Sequence, residues 1–316
     1  MDTIYLHHPI EASTLKLQPT VMALGYFDGV HRGHQQVMAK AKEVAHDLGV
    51  TTSVMTFHPH PQEVLRKPKT PLKYITPLPD KVERIESLGI DTLYVVQFTE
   101  EFARLTPQQF VDHYLIALDV VHVVAGFDFT YGSLGKGTME TLPFHARDRF
   151  SYTIVDKFEE NQQKVSSTVI RELLAEGRVQ DVPLYLGMPY TVKGQVVDGE
   201  KRGRMIGFPT ANVALGERYL LPQNGVYAVT MRTADQLFEG VCNIGVKPTF
   251  HQEGAAEPTI EVHLFDFSGD LYGAHVEVEF HLFIRPEQKF AGVEALVSQI
   301  KKDKQQAIDY FRHNSS

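Results

Sequence analysis

The sequence predicts an α/β chain of two domains: a parallel sheet wrapped by helices, then a small antiparallel β-barrel that ends in a helix. Three observations carry this prediction. The chain has 316 residues, more than one compact domain usually holds. Strand and helix signals alternate through its first half, which is the pattern of parallel strands with helical crossovers. After about residue 183 that alternation gives way to short β-rich segments separated by turn residues. The Pro183–Pro189 segment is the expected boundary, giving domains 1–183 and 184–316.

Along the first domain, Val21–Gly25 is a short apolar run closed by glycine. His34–Leu48 follows as a helix, with Val37, Ala41, Val44 and Leu48 on one stripe and Gly49 as the stop. Thr51–Phe57 reads as a strand that breaks at His58-Pro59-His60-Pro61. Pro79–Leu88 is helical, Thr92–Phe98 a strand, Phe110–Leu118 helical and Val120–Ala125 a buried strand. Strands joined this way form a Rossmann-like sheet whose ligands collect beyond the C-terminal strand ends, where the Gly25–His34 and His58–Pro61 turns would lie. In the second domain Val192–Val197, Val226–Met231, Gly240–Ile244, Ile260–Phe265 and Val276–Ile284 read as strands. In the last of these Val276, Val278, Phe280, Leu282 and Ile284 alternate with Glu277, Glu279, His281 and Phe283, the mark of a half-buried antiparallel strand. Val293–Arg312 is a terminal helix with Val293, Leu296, Ile300, Ile308 and Phe311 on one face.

Hydrophobic residues make up 43% and charged residues 22% of the chain, enough for a real core. The net charge of −8 argues against a nucleic-acid partner, because a phosphate-tracking surface needs an excess of clustered Lys and Arg. No apolar run approaches the roughly 20 residues that span a bilayer, so no membrane partner is expected. Met1–Thr20 lacks a basic-then-apolar secretory pattern. The single cysteine, Cys242, cannot form an internal disulfide and reads as a small buried strand residue. The expected location is the cytoplasm.

Gly25-Tyr26-Phe27-Asp28-Gly29-Val30-His31-Arg32-Gly33-His34 reads as strand end, glycine turn and helix start. His31 and His34, three apart, share one face of the first helical turn. Unpaired N–H groups and the positive end of the helix dipole suit a triphosphate there. Gly29 and Gly33 let the backbone approach it closely. Histidines in that place can donate hydrogen bonds to charge developing on an α-phosphate and a leaving pyrophosphate, a catalysis of positioning and electrostatics. Two other readings compete: half of a zinc site, for which no Cys pair or third ligand stands at a telling distance, and ordinary surface histidines. Phe27-Asp28-Gly29 directly before them favours phosphate. A second anion motif, Val165-Ser166-Ser167-Thr168-Val169-Ile170-Arg171, opens a short helix that Gly177 ends. Ser167 or Thr168 alone would serve as an N-cap. Three hydroxyls plus an arginine exceed what capping needs, and Arg171 reads as a clamp on the triphosphate.

Phe27–Gln35, Thr56–Pro61, Gly126-Phe127-Asp128-Phe129 and Val165–Arg171 together resemble the FMN adenylyltransferase module of prokaryotic bifunctional FAD synthetases. The resemblance implies transfer of AMP from ATP to FMN. It implies that Gly25, Phe27, Asp28, Gly29, His31, His34, Ser166, Ser167, Thr168 and Arg171 handle ATP, and that Asp128 and the His58–Pro61 turn lie near nucleotide or flavin. Tyr26 and Tyr131 stand where that family varies.

No GxxxxGK[ST] string occurs, which excludes a Walker-type kinase site. Gly199–Gly207, with Gly203 at its centre, is rich in glycine and basic residues able to fold over phosphates, and it leads into Phe208-Pro209-Thr210-Ala211-Asn212. Thr210 and Asn212 present oxygens from one side of an extended segment, a donor set that magnesium completes with phosphates and water. A plain β-turn with Thr210 and Asn212 as turn formers is the competing reading. Glu287 lies just past a strand end with the parity of Arg285 and His281, and a carboxylate there can accept a hydroxyl proton during in-line attack. An exposed rim glutamate is the alternative.

Leu186–Tyr190, Gly225-Val226-Tyr227, Asn243–Phe250, Glu261-Val262-His263 and Ile284–Phe290 are similar, in that order, to the riboflavin kinase family. That resemblance implies a six-stranded β-barrel that phosphorylates the terminal ribityl hydroxyl of riboflavin. Gly203, Gly207, Pro209, Thr210, Asn212 and Arg285 would bind ATP or flavin, Thr210 and Asn212 would hold Mg2+ with ATP, and Glu287 would be the base. Met188 replaces an arginine frequent in that family. The chain is thus expected to be a two-step transferase with ATP, riboflavin and FMN as small-molecule substrates and FAD as final product. A chain retaining one activity, and a flavin-sensing binding protein, are the alternatives.

Overall fold

Six strands of the N-terminal half form one parallel sheet: β1 (Asp2–Leu6), β2 (Thr20–Leu24), β3 (Thr51–His58), β4 (Thr92–Gln97), β5 (Val120–Gly126) and, after the two-residue hairpin strands β6 (Thr130–Tyr131) and β7 (Gly137–Thr138), β8 (Ser151–Val155). Their spatial order is β1-β4-β3-β2-β5-β8, and every neighbouring pair runs parallel. The computed structural model describes residues 1–161, 163–199, 203, 206–246 and 258–314. It divides into two units, Met1–Ser167 and Thr168–Ser316.

The central strands are buried on both faces, as a helix-covered parallel sheet requires. Alternate residues feed two cores. Met22, Leu24, Met55, Phe57, Tyr94 and Val96 pack with Phe102, Phe110 and Tyr114 on one face. Val21, Ala23, Val54, Leu93 and Val95 pack on the other against Val37, Met38, Ala41 and Ala45 of α1 (Arg32–Leu48) and Ile85. Ile85 belongs to α3 (Leu78–Ser87), which follows the short α2 (Pro61–Arg66). Gly49 ends α1 in the left-handed conformation, φ 66°, as its place after the last apolar residue predicts.

The first helix starts two residues before the predicted His34, because His31 caps it in place of a Ser, Thr or Asp. Two strands of this sheet carry no clear signal in the sequence. Edge strands β1 and β8 are largely half-buried or exposed, so neither leaves an apolar run. The helix expected over Phe110–Leu118 begins as α5 (Pro107–Phe110), after α4 (Glu100–Ala103), and continues as a π-helical segment, Val111–Ile116. Thr106 and Gln109 close a capping box at its start. After α6 (Leu142–Ala146) and the small ribbon β9 (Glu159–Glu160) and β10 (Gln163–Lys164), α7 (Ser167–Ala175) opens at the predicted hydroxyl cluster.

The C-terminal unit, after α8 (Val182–Leu186), is a closed six-stranded barrel of β11 (Tyr190–Val197), β12 (Ala211–Leu215), β13 (Gly225–Arg232), β14 (Leu237–Val246), β15 (Pro258–Leu264) and β16 (His275–Arg285). Its order is β11-β12-β15-β14-β13-β16, antiparallel throughout. Residue periodicity alone finds five of these strands. It misses β12, which is short and begins inside the segment read as a metal-binding turn. Tyr190, Val192, Tyr227, Val229, Cys242, Val262, Val278 and Phe280 are buried along alternating strand positions. Cys242 is fully buried, and burial pushes its thiol pKa up, so it is an inert core residue. The terminal helix α9 (Val293–Asn314) lays Ala307 and Phe311 against Val226, Ala228 and Val241 of the barrel wall.

Candidate active sites

Strands β3, β2 and β5 are neighbours and parallel, so their C-terminal ends at His58, Leu24 and Gly126 share one edge of the sheet. The two expected turns, Gly25–His34 and His58–Pro61, and the Gly126–Phe129 motif all leave from that edge. Tyr26 and His60 join the first two, their rings edge-to-face with centroids 4.3 Å apart. A Cβ on Gly25 would lie 2.5 Å from the Phe27 ring. Phe27 (φ 56°), Gly29 (φ 88°) and Val30 (φ 43°) all adopt left-handed backbone. That tight turn buries both apolar side chains and delivers the chain to α1. Asp28 is buried, with Oδ1 accepting the N–H groups of Ile75 (3.1 Å) and Thr76 (3.2 Å). Its backbone carbonyl accepts the Ser167 hydroxyl at 2.9 Å, so the two anion motifs meet there.

His31 is the N-cap of α1, its Nδ1 accepting the His34 N–H at 3.2 Å. An accepting Nδ1 leaves the proton of the neutral ring on Nε2, where it is available as a donor. The His34 ring stacks on His31, centroids 3.4 Å apart. Burial pushes the His31 pKa down to about 4, and the cations Arg84 and Lys164 add to the fall. Burial, then His31, Lys81 and Arg84, hold His34 well below its usual value. Both rings are therefore neutral donors at pH 7. His34 Nδ1 is buried without a hydrogen-bond partner, a group that a ligand would satisfy.

Two cations on one face of α3 complete this corner. Lys81 is buried, donates to the Tyr26 carbonyl at 2.8 Å, and has its pKa pushed down to about 8 by burial, with Asp28 opposing. Arg84 is half-buried and its pKa falls to about 10 through burial. Desolvated cations beside a helix N-terminus suit a polyanion. Sequence reasoning missed both residues, although their three-residue spacing on a predicted helix was a usable signal. Asp128 pairs with Lys164 (2.6 Å), whose ammonium lies 4.6 Å from the Phe127 ring centre. Ser166 is half-buried, while Thr168 is exposed and Arg171 half-buried on α7.

In the barrel, Gly207 adopts left-handed backbone at φ 81°, the turn its sequence predicts. Thr210 directly precedes β12, and Asn212 pairs across that strand with Val197 and Glu261. A Cβ on Gly199 would overlap the Asn212 amide, so this glycine makes room for that side chain. A Cβ on Gly203 would likewise overlap the Phe208 carbonyl. The Pro209 carbonyl accepts from His263 Nδ1 at 2.8 Å. Glu200, Lys201, Arg202, Arg204, Met205 and the Lys247–Phe250 part of the expected motif lie outside the described residues.

Glu287 is exposed, and its carboxylate lies against β14. A Cβ on Gly245 would overlap Glu287 Oε1 and lie 3.0 Å from Asn243 Nδ2. The residues sharing its strand parity do not form an open polar face, contrary to expectation. His281 bonds to Thr230 Oγ1 at 2.9 Å and its ring lies 5.4 Å from that of Phe311 in α9. Arg285 pairs with Asp303 of the same helix at 2.8 Å. Asp303 carried no signal in the sequence, and the contacts of Gly199 with Asn212 and of Gly245 with Glu287 were not legible there, because each joins distant segments.

The sequence model described as FAD synthetase matches residues 13–169, and that described as riboflavin kinase matches residues 186–311. The bifunctional riboflavin kinase/FMN adenylyltransferase of Bacillus subtilis (strain 168) is 51% identical over 311 residues, covering 98% of both chains. The protein of the same name from Listeria monocytogenes is 49% identical over the same share. A crystal structure described as a macrolide-efflux protein from Streptococcus pneumoniae is 35% identical, with a TM-score of 0.88 over 96% of this chain and 98% of that one. Among the described residues no helix is long and apolar enough to cross a membrane. Two family matches in tandem, and relatives alike from end to end, agree with the two sites: the chain belongs to the bifunctional riboflavin kinase/FMN adenylyltransferase family.

Proposed function

We propose that each activity of the family is carried by its own constellation, adenylyl transfer by the His31/His34 corner and phosphoryl transfer by the Asn212/Glu287 end of the barrel. The enzyme is a transferase acting twice on the flavin: riboflavin and ATP give FMN and ADP, then FMN and ATP give FAD and pyrophosphate. The observation that carries the assignment is the stacked, neutral histidine pair at the start of α1, flanked by Lys81 and Arg84. The Nε2–H donor of His31, the neutral ring of His34 and two cations match the charge that builds on an α-phosphate and a leaving pyrophosphate. Ser166, Ser167, Thr168 and Arg171 keep the triphosphate-binding role that their motif implies. Gly25, Phe27, Asp28 and Gly29 shape the turn, and Asp128 stays assigned to nucleotide or flavin.

In the barrel the substrate is ATP with Mg2+. Thr210 and Asn212 offer neutral oxygens, a hard donor set that fits magnesium carrying phosphates and water, and Gly199 leaves the space that Asn212 needs. Bound there, the ion would neutralise charge on the transferring phosphoryl group. Gly203, Gly207 and Pro209 shape the same segment. Glu287 takes the proton of the ribityl hydroxyl as its oxygen attacks. We keep 183/184 as the boundary between activities, in line with the gap between the two family matches. A single cysteine and the use of ATP support a cytoplasmic location.

The test is chromatography of flavins after incubation with Mg·ATP and either riboflavin or FMN. Glu287→Gln should lower FMN formation by about 10²-fold or more and leave FMN-to-FAD conversion intact. His34→Ala should do the reverse. Equal loss of both steps in either variant contradicts separate sites.

A further inference from the structure

Arg285 ends β16, two residues before Glu287, and its guanidinium is committed to protein partners. Nε donates to Asp303 Oδ1 (3.0 Å) and Oδ2 (3.1 Å), and Nη2 donates to Oδ2 (2.8 Å). Asp303 sits in the middle of α9, its side chain 3% exposed against 16% for Arg285. Gln299, one turn earlier, donates to Asp303 Oδ1 at 2.8 Å. A carboxylate buried this deeply needs charged and hydrogen-bonding partners, and a forked arginine answers it in one geometry. Nη1 points the other way, donating to the Pro286 carbonyl at 3.0 Å. The guanidinium carbon also lies 5.6 Å from the ring centre of Phe290. One group thus grips the peptide immediately before Glu287 and faces the ring three residues after it. Residues 286–289 are exposed and outside regular secondary structure, the kind of segment that wanders unless tied.

We propose that Asp303, acting through Arg285, is the positioning residue of the kinase base: helix α9 fixes the backbone that aims the Glu287 carboxylate over Gly245. The inference rests on reading Glu287 as the base, and it moves Arg285 from binding ATP or flavin to supporting that base. A base displaced by about 1 Å loses on the order of 10²-fold in rate while ligand affinity is untouched. That division between kcat and KM is the signature.

The experiment measures riboflavin phosphorylation kinetics and thermal unfolding on the full chain, with FMN-to-FAD conversion followed in the same samples. Asp303→Asn should lower kcat at least tenfold, with KM for riboflavin and for Mg·ATP within twofold and FAD formation unchanged. Breaking a buried pair can unfold a domain, so the pair is also replaced together by Arg285→Met with Asp303→Leu. Apolar residues of similar volume restore stability at such sites. The double variant should recover the unfolding midpoint and keep the low kcat. A wild-type kcat in the double variant overturns the proposal. So does raised KM at normal kcat, which would make Arg285 a ligand-binding residue. Failure of the underlying reading is seen separately: Glu287→Gln with normal kinase activity removes the base, whatever the Asp303 variants do.

Discussion

Gly245 and Gly199 occupy places where a side chain would strike the tip of another side chain, Glu287 Oε1 at one and the Asn212 amide at the other. Neither has left-handed backbone, so alanine at Gly245 meets no φ strain and Glu287 can swing aside. Gly245→Ala should therefore leave stability nearly unchanged and lower kinase kcat by about 10²-fold, because the base is displaced. Stopped assays beside a thermal melt would check it, and normal kcat would show that Glu287 acts from elsewhere. His31 yields a second expectation. Its folded pKa of about 4 lies below its ordinary 6.5, so between those values the unfolded chain binds the extra proton. Stability therefore falls as pH drops from 6.5 towards 4, by about 2 kcal/mol at pH 5 from this residue. Denaturant unfolding at pH 7.5 and pH 5 should show a smaller difference in His31→Gln than in wild type.

The turn before α1 behaves as one element with the segment at residues 75 and 76, joined by the buried Asp28 carboxylate. Asp28→Ala removes the acceptor of two buried N–H groups, at about 1–3 kcal/mol for each group left unsatisfied. The N-terminal unit should melt earlier, and FAD formation should be lost with the geometry of the helix start. An unchanged melt would mean that other acceptors replace the carboxylate. Helix α1 was legible in the sequence because Val37, Ala41 and Gly49 mark its stripe and its stop. Its true start was not, because a histidine cap is recognised only when the ring is seen to accept the His34 N–H. Strands β1 and β8 stayed hidden for another reason: at a sheet edge little burial is required, so no apolar run is written.

At the scale of the whole chain, the division into units falls at Ser167/Thr168, ahead of the 183/184 boundary proposed between activities. The intervening residues are bonded to the barrel. Gln223 donates its N–H to the Leu174 carbonyl at 2.9 Å, the 179–181 turn packs on β16, and Val179 and Val182 are fully buried. A fragment 184–316 discards both valines, whose burial is worth about 1.5–3 kcal/mol each. It should keep kinase activity yet unfold at a lower urea concentration than 168–316. Equal midpoints would make the intervening segment a linker.

Motif chemistry is local, and so the sequence alone was enough to expect two transferase activities and the parallel-then-barrel order, and to single out the motifs proposed to bind triphosphate. His31, His34 and Glu287 stand out as candidates through their immediate neighbours. What only the tertiary structure decided is what surrounds those groups: Lys81 and Arg84 beside the histidines, Gly245 beneath Glu287, and Asp303 behind Arg285. Burial and desolvation set pKa values and aim side chains, and both depend on segments far apart in the chain that no short-range pattern connects.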